Sequence, residues 1–141
     1  MKSFAREWRS TSGNGMRAVD TNVLVRLVTG DTQEQAEIAE RFVEPGAWVP
    51  LAAVLECAWV LRANYGFSDA DLGKTLAMLL ENDRLVFQDD EVIRAAVRTF
   101  RDKPVVQFAD ALMLESARRA GHLPLGTFDK KLASRPGTVR L

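Results

Sequence analysis

One cysteine, one histidine and one tyrosine occur in 141 residues, and 19 basic side chains are balanced by 19 acidic ones. Each shortage removes a class of function. Cys57, set among apolar neighbours, leaves no internal disulfide, fits a reducing compartment and reads as a core residue. His122 follows Gly121 and has no second histidine with which to build a usual zinc centre, so it reads as a helix-end or surface residue. No serine or cysteine has the histidine-based activation of the common nucleophile triads. No glycine run carries the lysine of a phosphate-binding loop. The formal net charge of zero removes the global positive field that many nucleic-acid binders use, leaving local residues or bound cations to draw in any nucleic acid. No apolar run approaches the roughly 18 residues of a membrane-spanning helix, and the N-terminus lacks a secretion-signal pattern. The expectation is a cytoplasmic protein with no membrane contact.

What is present suits one core. With 47% hydrophobic residues the chain can close a single domain but is short for two. Residues 1–15 end in the polar string Ser10-Thr-Ser-Gly-Asn-Gly15 and read as a flexible N-terminal extension, with the domain over 16–141 starting near Met16. From Ala18 a short strand ends at Asp20 and passes into a helix capped by Thr21 or Asn22. The spacing predicts helices over Glu34 to Val43, Leu51 to Ala63, Ala70 to Leu80, Glu91 to Phe100 and Phe108 to Ala120. Short strands are expected at Trp48-Val49-Pro50, Leu85-Val-Phe87, Leu123 to Gly126 and around Val139. Strands alternating with helices imply an α/β fold, a parallel sheet covered by helices on both faces, with sites at the carboxyl ends of the strands.

Four acids stand out from this pattern. Glu56 is the only charge between Glu44 and Arg62, inside a helix that is apolar almost all round, and a lone buried carboxylate is costly unless paired, coordinated or neutralised. Asp110 is the only charge from Pro104 through Leu114, and Asp20 has no charged neighbour between Arg17 and Arg26. Asp20 and Asp129 each follow a strand candidate. Every one of them also has a plain structural role open to it: Asp20 as a helix cap, Asp129 as a turn residue, Asp110 as a first-turn acid and Glu56 as a partner of Arg62. Taken together, they are a ligand set that a hard cation such as magnesium or manganese would draw into one place.

In order, the blocks Val19-Asp-Thr-Asn-Val-Leu-Val-Arg26, Val49-Pro50 through Glu56 and Trp59-Val-Leu61, Phe108-Ala-Asp-Ala-Leu112 and Thr127-Phe-Asp-Lys-Lys-Leu132 resemble a PIN-domain ribonuclease, in particular the toxin of a VapBC toxin-antitoxin pair. The resemblance covers essentially all of Met16 to Leu141. It implies a PIN-like α/β/α sandwich with a central parallel sheet, and a divalent-metal-dependent endoribonuclease that hydrolyses RNA phosphodiester bonds. Asp20, Glu56, Asp110 and Asp129 would be the catalytic and metal-binding residues, holding Mg2+ or Mn2+. Asn22 and Thr127 match supporting positions. Gln107 stands where relatives often have an acid, which weakens the hold on a second metal. The resemblance also implies a small VapB-type antitoxin and a homodimer, with excess apolar surface on the helix from Leu51 and on Tyr65, Leu72, Leu76 and Leu79 as a candidate partner face. Arg26, Arg62, Arg118 and Arg119 are candidate RNA-backbone contacts. The alternative is a catalytically weak or inactive PIN-like module that binds RNA or protein.

Overall fold

The computed structural model describes residues 15–102 and 106–141. The extension expected at residues 1–15 therefore lies, apart from Gly15, outside the described residues. Strand β1 (Arg17–Ala18) leads into helix α1 (Thr21–Thr29), and Asp20 between them is the helix cap, its Oδ1 accepting the Val23 N–H at 3.2 Å. The cap thus falls one residue before Thr21. The strand already stops at Ala18, and an aspartate caps a helix at least as well as a threonine.

Helix α2 (Gln33–Val43), strand β2 (Ala47–Val49), helices α3 (Leu51–Tyr65) and α4 (Asp69–Glu81), strand β3 (Leu85–Phe87) and helices α5 (Asp90–Arg101) and α6 (Phe108–Ala120) follow. Strand β4 (Leu125–Thr127), a 3-10 turn (Leu132–Ser134) and strand β5 (Thr138–Arg140) complete the order. Pro50 ends β2 and precedes α3, whose first N–H, that of Leu51, is taken at 2.9 Å by the Gln88 side chain just after β3. Helix α3 stops at Gly66 and α6 at Gly121, both left-handed (φ 68° and 82°), where glycine escapes the Cβ penalty. The Ser68 hydroxyl caps α4 by accepting the Asp71 N–H at 3.1 Å.

All strand pairings are parallel: β1–β2–β3 form one ladder and β4–β5 a second. The arrangement is α/β/α, a central parallel sheet flanked by helices, as the alternation of elements predicts. Ala47 and Val49 of β2 and Leu85 and Phe87 of β3 point into a core shared with Leu24, Leu61, Leu72, Leu76 and Ile93. The alternate row, Ala18, Trp48 and Val86, lies side by side in register and stays exposed.

Two expectations about helix surfaces are corrected. Leu72, Leu76 and Leu79 are buried core residues and Tyr65 is half-buried, so they are no surplus partner face. Helix α3 buries Ala53, Val54, Cys57, Ala58 and Leu61 on one side and exposes Ala52, Leu55, Glu56 and Trp59 on the other. Glu56 is therefore solvent-exposed, not a lone carboxylate in the core. An almost wholly apolar helix still has an outer face, and here that face carries Trp59 at 65% exposure. Cys57 is fully buried as expected, and burial pushes its thiol up to about 12, out of reach of ordinary thiolate chemistry.

Candidate functional site

Three of the four sequence-selected acids lie beside strand ends or in a helix's first turn, while Glu56 stands on the exposed face of α3. Asp20 lies exposed just beyond β1, in the cap of α1. Asp110 sits half-buried in the first turn of α6. Asp129 follows β4 in a tightly bonded loop: the Thr127 hydroxyl accepts the Asp129 N–H at 3.0 Å, and Asp129 Oδ1 accepts the N–H groups of Lys131 (2.7 Å) and Leu132 (3.1 Å). The plain roles of Asp20 and Asp129, a cap and a turn, are thus both filled. Neither role prevents the remaining carboxylate oxygen from facing outward.

One pair is electrostatically joined. Asp110 has its carboxyl raised above the ordinary range, first by desolvation and then by the charge of Asp129. Residues separated along the chain by the whole of α6 and β4 are thereby brought within each other's field. Asp110 so placed holds its proton more tightly than an isolated carboxyl, and a cation beside it would offset the charge of Asp129. Asp20 and Glu56 do not enter that interaction. Among the described residues no group of three or more His, Cys, Asp or Glu side chains comes together as a metal-binding cluster. Of the supporting positions, Asn22 is exposed in the first turn of α1, and Gln107 occupies the cap position of α6 without making a side-chain cap bond.

The arginines singled out for RNA contact are engaged elsewhere. Arg26 donates to Gln35 (2.6 Å), Asp31 and Tyr65; Arg62 pairs with Asp69; Arg118 pairs with Glu115 and donates to the Pro136 carbonyl; Arg119 pairs with Glu91. Asp31 itself is held below the ordinary carboxylate range, mainly by the Tyr65 hydroxyl. The cations nearest the acidic pair in sequence and register are others. Lys130 and Lys131 follow Asp129 directly, with no ion pair among the described residues, and Arg140 of β5 is the register partner of Thr127.

Among the described residues, the one deeply buried acid escaped the sequence reading. Glu115, on α6, is 8% exposed and holds Thr99 of α5 (2.9 Å) with one oxygen and Arg118 (3.1 Å) with the other. Arg118 as an i+3 partner is the sequence signal that could have marked it. A cleft of about 460 Å3 lined by Leu27, Val28, Val43, Met78, Leu79 and Arg84 includes none of the four selected acids.

Residues 17–137, nearly the whole chain, match the PIN domain family. The chain belongs to that family. Comparisons with curated proteins and with solved structures find no match. Among the described residues no helix is long and apolar enough to cross a membrane.

Proposed function

We propose that this PIN domain is an RNA-binding module whose contact with RNA centres on Asp110 and Asp129. The single observation that carries the reading is a half-buried Asp110 in the first turn of α6 that senses the charge of Asp129 beyond β4, without a third acid gathered around them among the described residues. Such a pair suits a hydrated magnesium or manganese ion, which keeps several waters and takes one or two carboxylates together with a substrate phosphate. The pair does not form a closed cage of protein ligands. Bare carboxylates repel a phosphate, so RNA affinity at this place rests on a shared divalent ion and on the cations around it, Lys130, Lys131 and Arg140. The chain has no net charge to help from a distance.

A second reading is hydrolysis, as the toxin of a VapBC pair. It is supported by the same observation, because the charge of one acid that the resemblance assigns to catalysis, Asp129, acts on another, Asp110. A bound divalent ion supplies a water of lowered pKa and charge neutralisation at the phosphate. Within the chain, Thr127 steadies the Asp129 loop, and Asp110 holds or releases a proton at its carboxylate according to the ion's presence. An antitoxin and a homodimer belong to this reading, and the exposed Leu55 and Trp59 on α3 offer a partner face. The experiment is a pair of assays on one preparation with manganese or with chelator: fluorescence anisotropy with labelled RNA, and end-mapping of total cellular RNA. Manganese-dependent binding without discrete new ends supports the module; discrete ends that vanish in Asp110→Asn and Asp129→Asn support the nuclease; neither binding nor cleavage defeats both.

A further inference from the structure

Phe128 is 79% exposed, which makes it the most accessible large hydrophobic side chain described. Its exposure is not a consequence of loose backbone. The residues on both sides are pinned: the Thr127 carbonyl accepts the Leu141 N–H at 2.9 Å, the Thr127 hydroxyl holds the Asp129 N–H, and Asp129 accepts from Lys131, Leu132 and, through its carbonyl, Ala133 at 2.9 Å. Buried Leu132 anchors the far end of the loop in the core. A bonded loop therefore presents a phenyl ring to water immediately beside an acid of the site. Holding a ring there forfeits the gain from burying it, and nothing in the packing of the loop uses it.

The ring's surroundings are mixed: exposed Val139 of β5 lies on the neighbouring strand, exposed Leu141 just beyond it donates its N–H to the Thr127 carbonyl, and basic residues flank the loop. Gly126 and Thr127 precede it, Lys130 and Lys131 follow Asp129, and Arg140 is in register with Thr127. An accessible ring followed within three residues by two lysines, with Arg140 on the paired strand, matches the chemistry of an unpaired nucleobase and its phosphates. Every base offers a π face for an aromatic side chain to stack on, while lysines and arginines track the backbone. A base inside an A-form duplex has both faces covered by its neighbours, so a protruding ring reaches only unpaired nucleotides.

Resting on the RNA-binding reading above, we infer that Phe128 is a base-stacking platform that selects single-stranded RNA and seats one unpaired base beside Asp129. Phe128 is then a specificity-determining contact, and Lys130, Lys131 and Arg140 take the adjoining phosphates.

The test uses the full chain in manganese, with an unstructured labelled oligoribonucleotide containing 2-aminopurine and a hairpin duplex of equal length. Phe128→Ala is expected to weaken single-strand affinity at least roughly five-fold, the low end of the loss from removing one base–aromatic stack. Phe128→Trp is expected to restore that affinity and the 2-aminopurine quenching on binding. Duplex affinity should change less than about two-fold in both variants. Unchanged melting in Phe128→Ala separates a lost contact from a lost fold. If the parent binds single-stranded RNA and Phe128→Ala binds it equally well, the platform is wrong while the RNA-binding reading stands. If Phe128→Ala spares RNA binding and abolishes self-association, the ring is a protein contact. If the parent binds neither RNA, the RNA-binding reading itself fails and takes the platform with it.

Discussion

The β1–β2–β3 ladder and the β4–β5 pair are built to opposite ends. Ala47, Val49, Leu85 and Phe87 of the first are buried, whereas neither β4 nor β5 contains a single fully buried residue. The first ladder closes the core; the second carries Thr127, Phe128 and Asp129 and is fastened to the body at a few points. Leu132 enters the core, and Glu115 on α6 holds Arg118, which donates to the Pro136 carbonyl just ahead of β5. Stability and candidate chemistry therefore occupy different parts of the molecule. Of the side chains proposed to bind RNA, those around β4 and β5 stand where their loss costs little fold, whereas Asp110 belongs to α6.

That division can be broken or sharpened by four substitutions. The largest effect belongs to the core: Leu61→Ala, at a fully buried position, should cost about 2–5 kcal/mol of unfolding free energy in urea titrations. A loss under about 1 kcal/mol would mean that the helices are not packed as described. Next is the fastening of the β4–β5 pair. Glu115→Ala leaves Thr99 and Arg118 without their acceptor and should cost about 1–3 kcal/mol, with amide exchange quickening in β4 and β5 ahead of β2 and β3. Uniform quickening would show that the two ladders open as one unit.

Asp110→Asn tests the acidic pair through pH. Because desolvation and Asp129 raise the Asp110 carboxyl in the folded state, the folded chain binds that proton more tightly than the unfolded chain. Stability is then lost as pH rises from the ordinary aspartate value, about 3.9, through the raised one. The variant should melt at a higher Tm than the parent near pH 7 without metal, and the advantage should disappear below about pH 3.9. Asp110 is also a first-turn acid favoured by the helix dipole, so a Tm that falls at pH 7 would show that the dipole outweighs the repulsion. The smallest effect is Phe128→Ala, expected to leave stability within roughly 0.5 kcal/mol because an exposed ring stabilises little.

Most of the fold was legible. Helical spacing located the helices to within one or two residues, Gly66 and Gly121 punctuated α3 and α6, and alternation implied parallel strands under helices. The reading of Glu56 as buried failed for a definite reason. Counting apolar neighbours along α3 cannot tell which face the rest of the chain covers, and the uncovered face keeps Leu55 and Trp59 in water beside Glu56. Glu115 escaped for the converse reason: one acid in a helix that also contains two arginines looks like an ordinary surface residue until Thr99 is packed against it. The ion pairs of the candidate arginines were not legible, because pairing is decided by tertiary neighbours such as Asp69 and Glu91, which lie outside the local pattern. The placement of Asp20 and Asp129 just after strands was legible because a short apolar run followed by a polar residue marks a strand end, and the charge of Asp129 acts on Asp110.

The most direct test of the central claim is the affinity of the full chain for an unstructured RNA, measured by anisotropy with manganese and with chelator, for the parent and for Asp129→Asn. Binding that requires manganese in the parent and drops at least about ten-fold in Asp129→Asn is the predicted result, because the acidic pair holds the ion that meets the phosphate. Equal affinity in manganese and chelator, unaffected by Asp129→Asn, would contradict it and move the RNA contact away from Asp110 and Asp129.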